Sequence, residues 1–95
     1  MAKEFPYKEI GLRLEVVMRA SNMNQAEFAR ALSAKPNTVS NWITGAQRLS
    51  LNGALLIRDR FGVPLDWMYC GGMTDRLPAN VLNTLSGTPR NKNSQ

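Results

Sequence analysis

NQAEFARALSAKPNTVSNWITG, residues 24–45, carries two short apolar patterns a few residues apart. Phe28, Ala29 and Leu32 fall at i, i+1 and i+4, one face of a helix, and Val39 and Trp42 resume the same period further on. The intervening Ser33, Ala34, Lys35 and Pro36 have the length of a turn that sets two helices at a steep angle. Asn24 with Glu27 three residues later forms a capping box with Asn in the cap place, which marks the first helix start. Gly45 is the stop signal of the second.

The rest of the chain supplies helices to bury that pair. Pro6 suits the first turn of a helix running to about Ala20, with Ile10, Leu14 and Val17 on one face and Asn22 as its end. Ser50 caps a fourth helix whose expected apolar face is Leu51, Ala54, Leu55, Ile57 and Phe61, closed by Gly62. Pro64 opens a fifth, of one to two turns, carrying Trp67 and Met68 and broken by Gly71 and Gly72. The fold class expected is therefore all-α, a compact five-helix domain over residues 1–72 with a helix-turn-helix at helices 2 and 3. Residues 73–95 read as an extension, with a short helix at 78–86 and then a polar tail too poor in apolar residues to fold. Val81, Leu82 and Leu85 in that short helix either meet a partner or pack back on their own domain.

Once Val39 and Trp42 point inward, the helix of residues 36–44 turns Pro36, Asn37, Ser40, Asn41 and Thr44 outward. A merely solvated helix usually shows Lys and Glu there, since short amides are poorer helix formers. Reading base edges in a DNA major groove is a reason to use them, because one amide donates and accepts together, as adenine N6 and N7 require. An ordinary polar face is the alternative at this point.

NQAEFARAL, a four-residue turn and a helix holding Val39, Ser40 and Trp42 closed by Gly45 resembles the lambda-repressor-like domain of Cro/CI-type repressors, the XRE family. Ser50 and Leu51 opening a helix that ends in Phe61, Gly62 and Val63, then Leu65, Asp66, Trp67 and Met68, look like that family's fourth and fifth helices, so the likeness covers roughly residues 8 to 72. It implies a sequence-specific regulator of transcription, a repressor that occupies a promoter or a regulator that recruits RNA polymerase. The alternative is an antitoxin-like or adaptor protein that joins DNA binding to a protein partner in the tail. Repressors of this family reach bases from the first two residues of the recognition helix and again four further on, which makes Asn37 and Asn41 the base readers here. Pro36 departs from the Gln or Arg often found at its place and offers only apolar contact, such as to a thymine methyl; Lys35 and Ser40 come next. Gln25 matches the family's phosphate-clamping glutamine, and Arg48, Asn24 and Thr44 join it on the DNA backbone.

Two departures carry physical information. Where many relatives pair an Arg with a Glu, this chain has Met18 and Ile43, a joint swap consistent with two positions that touch, since breaking one side of a buried ion pair costs about 3 to 5 kcal/mol while replacing both sides need not. Ser33 stands at the usual turn glycine, which puts a left-handed turn residue in doubt and predicts a wider turn. One such domain makes few base contacts, so the likeness also implies a homodimer on a palindromic operator with half-sites about 10 base pairs apart. Tyr69, Cys70 and the apolar triplet Val81, Leu82 and Leu85 are its candidate contacts.

Composition narrows the classes further. Twelve Lys+Arg against seven Asp+Glu, net +5 with a pI near 10.0, favour a polyanionic partner. With no histidine and Cys70 as the lone cysteine, a zinc site of the usual kind and a Ser-His or Cys-His nucleophile pair cannot be assembled within the chain. Asp59 and Asp66 flank a helix end without a third ligand and read as solvated carboxylates. No enzyme activity and no cofactor are expected. The lone cysteine suits a reducing cytoplasm, no apolar run approaches the roughly 20 residues that span a bilayer, and MAKEFPYKEI lacks the apolar stretch of a secretory signal. The expected setting is the cytoplasmic nucleoid of a prokaryote or its phage, with no membrane partner.

Overall fold

The computed structural model describes residues 7–71 and 76–85. They form α1 (Tyr7–Ala20), α2 (Gln25–Ala31), α3 (Pro36–Thr44), α4 (Leu51–Phe61), α5 (Leu65–Cys70) and α6 (Ala79–Leu85), with no strand among the described residues. Pro6, Gly72 and the polar tail from residue 86 lie outside them.

Local chemistry sets the helix ends. Asn24 Oδ1 accepts the Glu27 amide at 2.8 Å while Glu27 Oε1 accepts the Asn24 amide at 2.9 Å, the reciprocal capping box at the start of α2. Ser50 Oγ accepts the Gly53 amide at 3.0 Å and caps α4. Gly45, Gly62 and Gly71 all take the left-handed conformation just past α3, α4 and α5.

The turn between α2 and α3 differs from expectation. Ser33 takes φ +54° itself, so the left-handed residue is present and the turn is not opened to avoid it. Ser33 N–H donates to the Arg30 carbonyl at 3.1 Å and Ala34 N–H to the Ala29 carbonyl at 2.9 Å, the paired bonds of a Schellman closure. Those two bonds satisfy orphan carbonyls at the end of α2 and hold Ser33 in place. Asn22 (φ +58°) ends α1 the same way, with Asn22 N–H to Arg19 O and Met23 N–H to Met18 O. A left-handed non-glycine residue costs about 1 to 2 kcal/mol, and glycine's greater unfolded freedom returns part of that, so Ser33→Gly should stabilise the fold by about 0.5 to 1 kcal/mol. A higher urea midpoint at unchanged slope is the expected result; a lower midpoint would mean that the Ser33 side chain holds the turn.

The core gathers Ile10, Leu14 and Val17 of α1 with Phe28, Leu32, Val39, Ile57 and Met68, each at most 2% exposed. Phe28 also meets the Phe61 ring at a centroid distance of 5.3 Å. On α4 the buried face is Gly53, Ala54 and Ile57, with Leu56 and Phe61 packed at its edge. Leu51, expected inside, is 61% exposed, and Leu55 is half-buried off the core. The cause is Trp42: the tip of its ring lies where a side chain on residue 53 would begin, so Gly53 must face it and the helix turns accordingly.

The segment after α5 packs on the same body. Leu77 and Val81 are buried with the core, and Asn80 Nδ2 donates to the carbonyl of Ala20, the last residue of α1, at 3.2 Å. Val81 therefore packs back on its own domain, while Leu82 and Leu85 stay exposed on α6. Met18 on α1 and Ile43 on α3 are both half-buried against the core.

Candidate nucleic-acid interface

Pro36 starts α3 with its ring-fixed φ in the position that has no amide to satisfy, and Lys35 before it makes no side-chain cap. No acidic side chain occupies the first turn of α3, so nothing there repels a phosphate. Val39 and Trp42 are buried, and this fixes the rotation of the helix. Pro36, Asn37 and Thr44 are exposed, and Ser40 and Asn41 half-buried, on the opposite side. The structure thus brings Lys35, Pro36, Asn37, Ser40, Asn41 and Thr44 to one outward face, with the Asn37 amide unpaired among the described residues.

The expected phosphate contacts are less uniform. Gln25 is the first residue of α2, half-buried. Asn24 has its side-chain oxygen committed to the Glu27 amide, which leaves only its NH2 for an anion. Thr44 Oγ1 donates to the Asn41 carbonyl at 3.4 Å. Arg48 is exposed on the loop after α3 and shares an apolar cleft with Ile10, Leu49, Leu51 and Tyr69. There, burial pushes the Tyr69 phenol above its ordinary value, and the nearby Arg48 charge pulls it partly back. Tyr69 donates its O–H to the Leu49 carbonyl at 2.9 Å, and Leu49 is 1% exposed, so the loop is pinned by a buried leucine and a hydrogen bond from α5.

Two residues at this face were not singled out from the sequence. Gln47 N–H donates to the Asn41 carbonyl at 3.0 Å, and Gln47 Oε1 accepts from Asn41 Nδ2 at 3.1 Å. The left-handed Gly45 folds the chain back along α3 to allow this, a pairing six residues apart that no helical period reveals. Lys8, exposed in the first turn of α1, lies against Gly45, where an added Cβ would come within 3.0 Å of the Lys8 Cα. This places the backbone of α1's first turn at the carbonyl end of α3. Arg13, by contrast, is held away from this face: its Nη1 donates to the Met68 carbonyl at 3.2 Å and its Nη2 meets Glu9 at 3.5 Å.

A family model described as helix-turn-helix matches residues 14–68, more than half of the chain. The chain belongs to that family. Its domain is lambda-repressor-like, with α2 and α3 as the helix-turn-helix pair. It is 37% identical over 62 residues to Repressor protein CI of Enterobacteria phage phi80, a match that covers 65% of this chain and 26% of that protein. The chain thus spans about a quarter of that relative's length. No solved structure gives a significant match.

Among the described residues no group of three or more His, Cys, Asp or Glu could hold a metal ion, and no helix is long and apolar enough to cross a membrane.

Proposed function

We propose that the chain is a sequence-specific double-stranded DNA-binding regulator of transcription, a repressor that reads the major groove with α3 as a homodimer on a palindromic operator. The observation that carries this reading is the outward face of α3: uncharged amides and hydroxyls at Asn37, Ser40, Asn41 and Thr44, with the cations Lys35 and Arg48 before and after the helix. Amides match base edges and the flanking cations match the sugar-phosphate backbone. The likeness to a phage repressor supports the same reading. Asn37 and Asn41 contact base edges, with Pro36, Ser40 and Lys35 beside them, while Gln25, Asn24, Thr44 and Arg48 hold phosphates. Two-fold symmetry doubles these contacts, and Cys70, Leu82 and Leu85 are among the exposed residues of α5 and α6 that a second copy could meet.

Selection of bound duplexes from a random pool tests the proposal. A palindromic site with half-site centres about 10 base pairs, or a multiple of that, apart is the expected result. Recovery of unenriched sequence would contradict it. On the selected site, Lys35 and Arg48 from two copies neutralise about four phosphates, so the logarithm of affinity should fall with log salt at a slope of roughly −3.6. A flat response between low and physiological salt would remove both residues from the interface.

A further inference from the structure

The reading of α3 as the recognition helix leaves open what orients its amides, and this inference rests on that reading. An asparagine amide on a solvent face rotates freely unless something holds it, and a base pair is read only when carbonyl and N–H point to it together. Asn37 has no such holder among the described residues. Asn41 has one: its Nδ2 donates to Gln47 Oε1 at 3.1 Å, and Gln47 is itself fixed by its backbone bond to the Asn41 carbonyl at 3.0 Å. The loop behind Gln47 is anchored in turn, by buried Leu49 and the Tyr69 hydroxyl.

We propose that Gln47 is a positioning residue for specificity, which fixes the Asn41 amide so that its carbonyl and second N–H face an adenine edge together. An NH2 group has two donors. One is taken by Gln47; the other and Oδ1 stay available, the donor for adenine N7 and the acceptor for adenine N6. The ordering of Asn41 is completed before DNA arrives, so binding does not have to supply it.

The test uses the full chain and the site it selects, with that site altered at the base pair whose identity Asn41→Ala ceases to discriminate. Gln47→Ala should lower affinity for the selected site roughly threefold to tenfold, the scale of one net hydrogen bond, and should reduce the preference for that base pair. In the Asn41→Ala background Gln47→Ala should have no further effect on that preference. Gln47→Glu keeps an acceptor for Asn41 Nδ2 and adds a charge that phosphates repel; it should weaken binding to all duplexes alike while retaining the preference. Circular dichroism confirms that each variant folds. If Gln47→Ala keeps the wild-type preference, or Gln47→Glu loses it, Gln47 does not position Asn41. A wild-type chain that selects no duplex would overturn the DNA-binding reading and this inference together, whereas selection that is indifferent to Gln47 overturns this inference alone.

Discussion

Trp42→Ala should lower the unfolding free energy by about 3 to 5 kcal/mol, a fifth or more of the roughly 5 to 15 kcal/mol that a domain of this kind commands. The ring is the largest side chain on the inner face of α3, only 6% exposed, and its tip fills the space that Gly53 leaves on α4. Removing it opens a void between the two helices where the ring now meets Gly53. Lost transfer energy and the residual cavity then add. Urea unfolding with an unchanged slope and a much lower midpoint is the expected observation. A variant with wild-type stability would mean that α3 is held by something other than this ring, and that its outward face is not the one described above.

Gly11→Ala is expected to destabilise the fold as well, although helix propensity alone points the other way. Alanine in the middle of α1 should gain about 0.5 to 1 kcal/mol over glycine. The methyl group, however, would run into the Ile43 carbonyl oxygen and sit 2.5 Å from that of Trp42. These are backbone atoms in the last turn of α3 and cannot swing aside. The variant must move α1 off α3, and overpacking of this kind costs typically 1 to 3 kcal/mol and occasionally more, so sterics win. Stability and operator affinity should fall together, since the same crossing orients α3. A more stable Gly11→Ala protein would show that the two helices do not approach so closely.

Much of this architecture was legible in local chemistry. Asn24 and Glu27, Ser50, Gly45, Gly62 and Gly71 end their helices through bonds or conformations confined to a few neighbouring residues, so short strings suffice to place them. Leu51 and Leu55 were misplaced because residues 54–57 are all apolar, which leaves the phase of α4 undetermined by period alone. It was decided by a contact between Gly53 and Trp42, distant in sequence. Ser33 misled for another reason: the propensity against a left-handed serine is worth only about 1 to 2 kcal/mol, and two closing hydrogen bonds override it. Val81 has no local signal of its partner, because the surface that buries it lies some 60 residues away in sequence, where Asn80 also bonds to Ala20. On the outer face of α3 the rotation follows from Val39 and Trp42, so the helical period alone turns Asn37 and Asn41 outward. Gln47 could not, because its partnership with Asn41 depends on where a loop returns after Gly45.

In the function proposed above, the outward face of α3 reads bases while its surroundings hold phosphates. This division of roles is tested most directly by band-shift titration of Asn37→Ala, beside Gln25→Ala and Arg48→Ala, on the selected duplex and a scrambled one of equal length. Asn37→Ala should lose roughly 1 to 3 kcal/mol on the selected duplex and little on the scrambled one, because an amide matched to a base edge loses its partner only where that base is present. Gln25→Ala and Arg48→Ala should weaken both duplexes alike, since phosphates are the same in every sequence. Equal losses on both duplexes for Asn37→Ala would contradict the account.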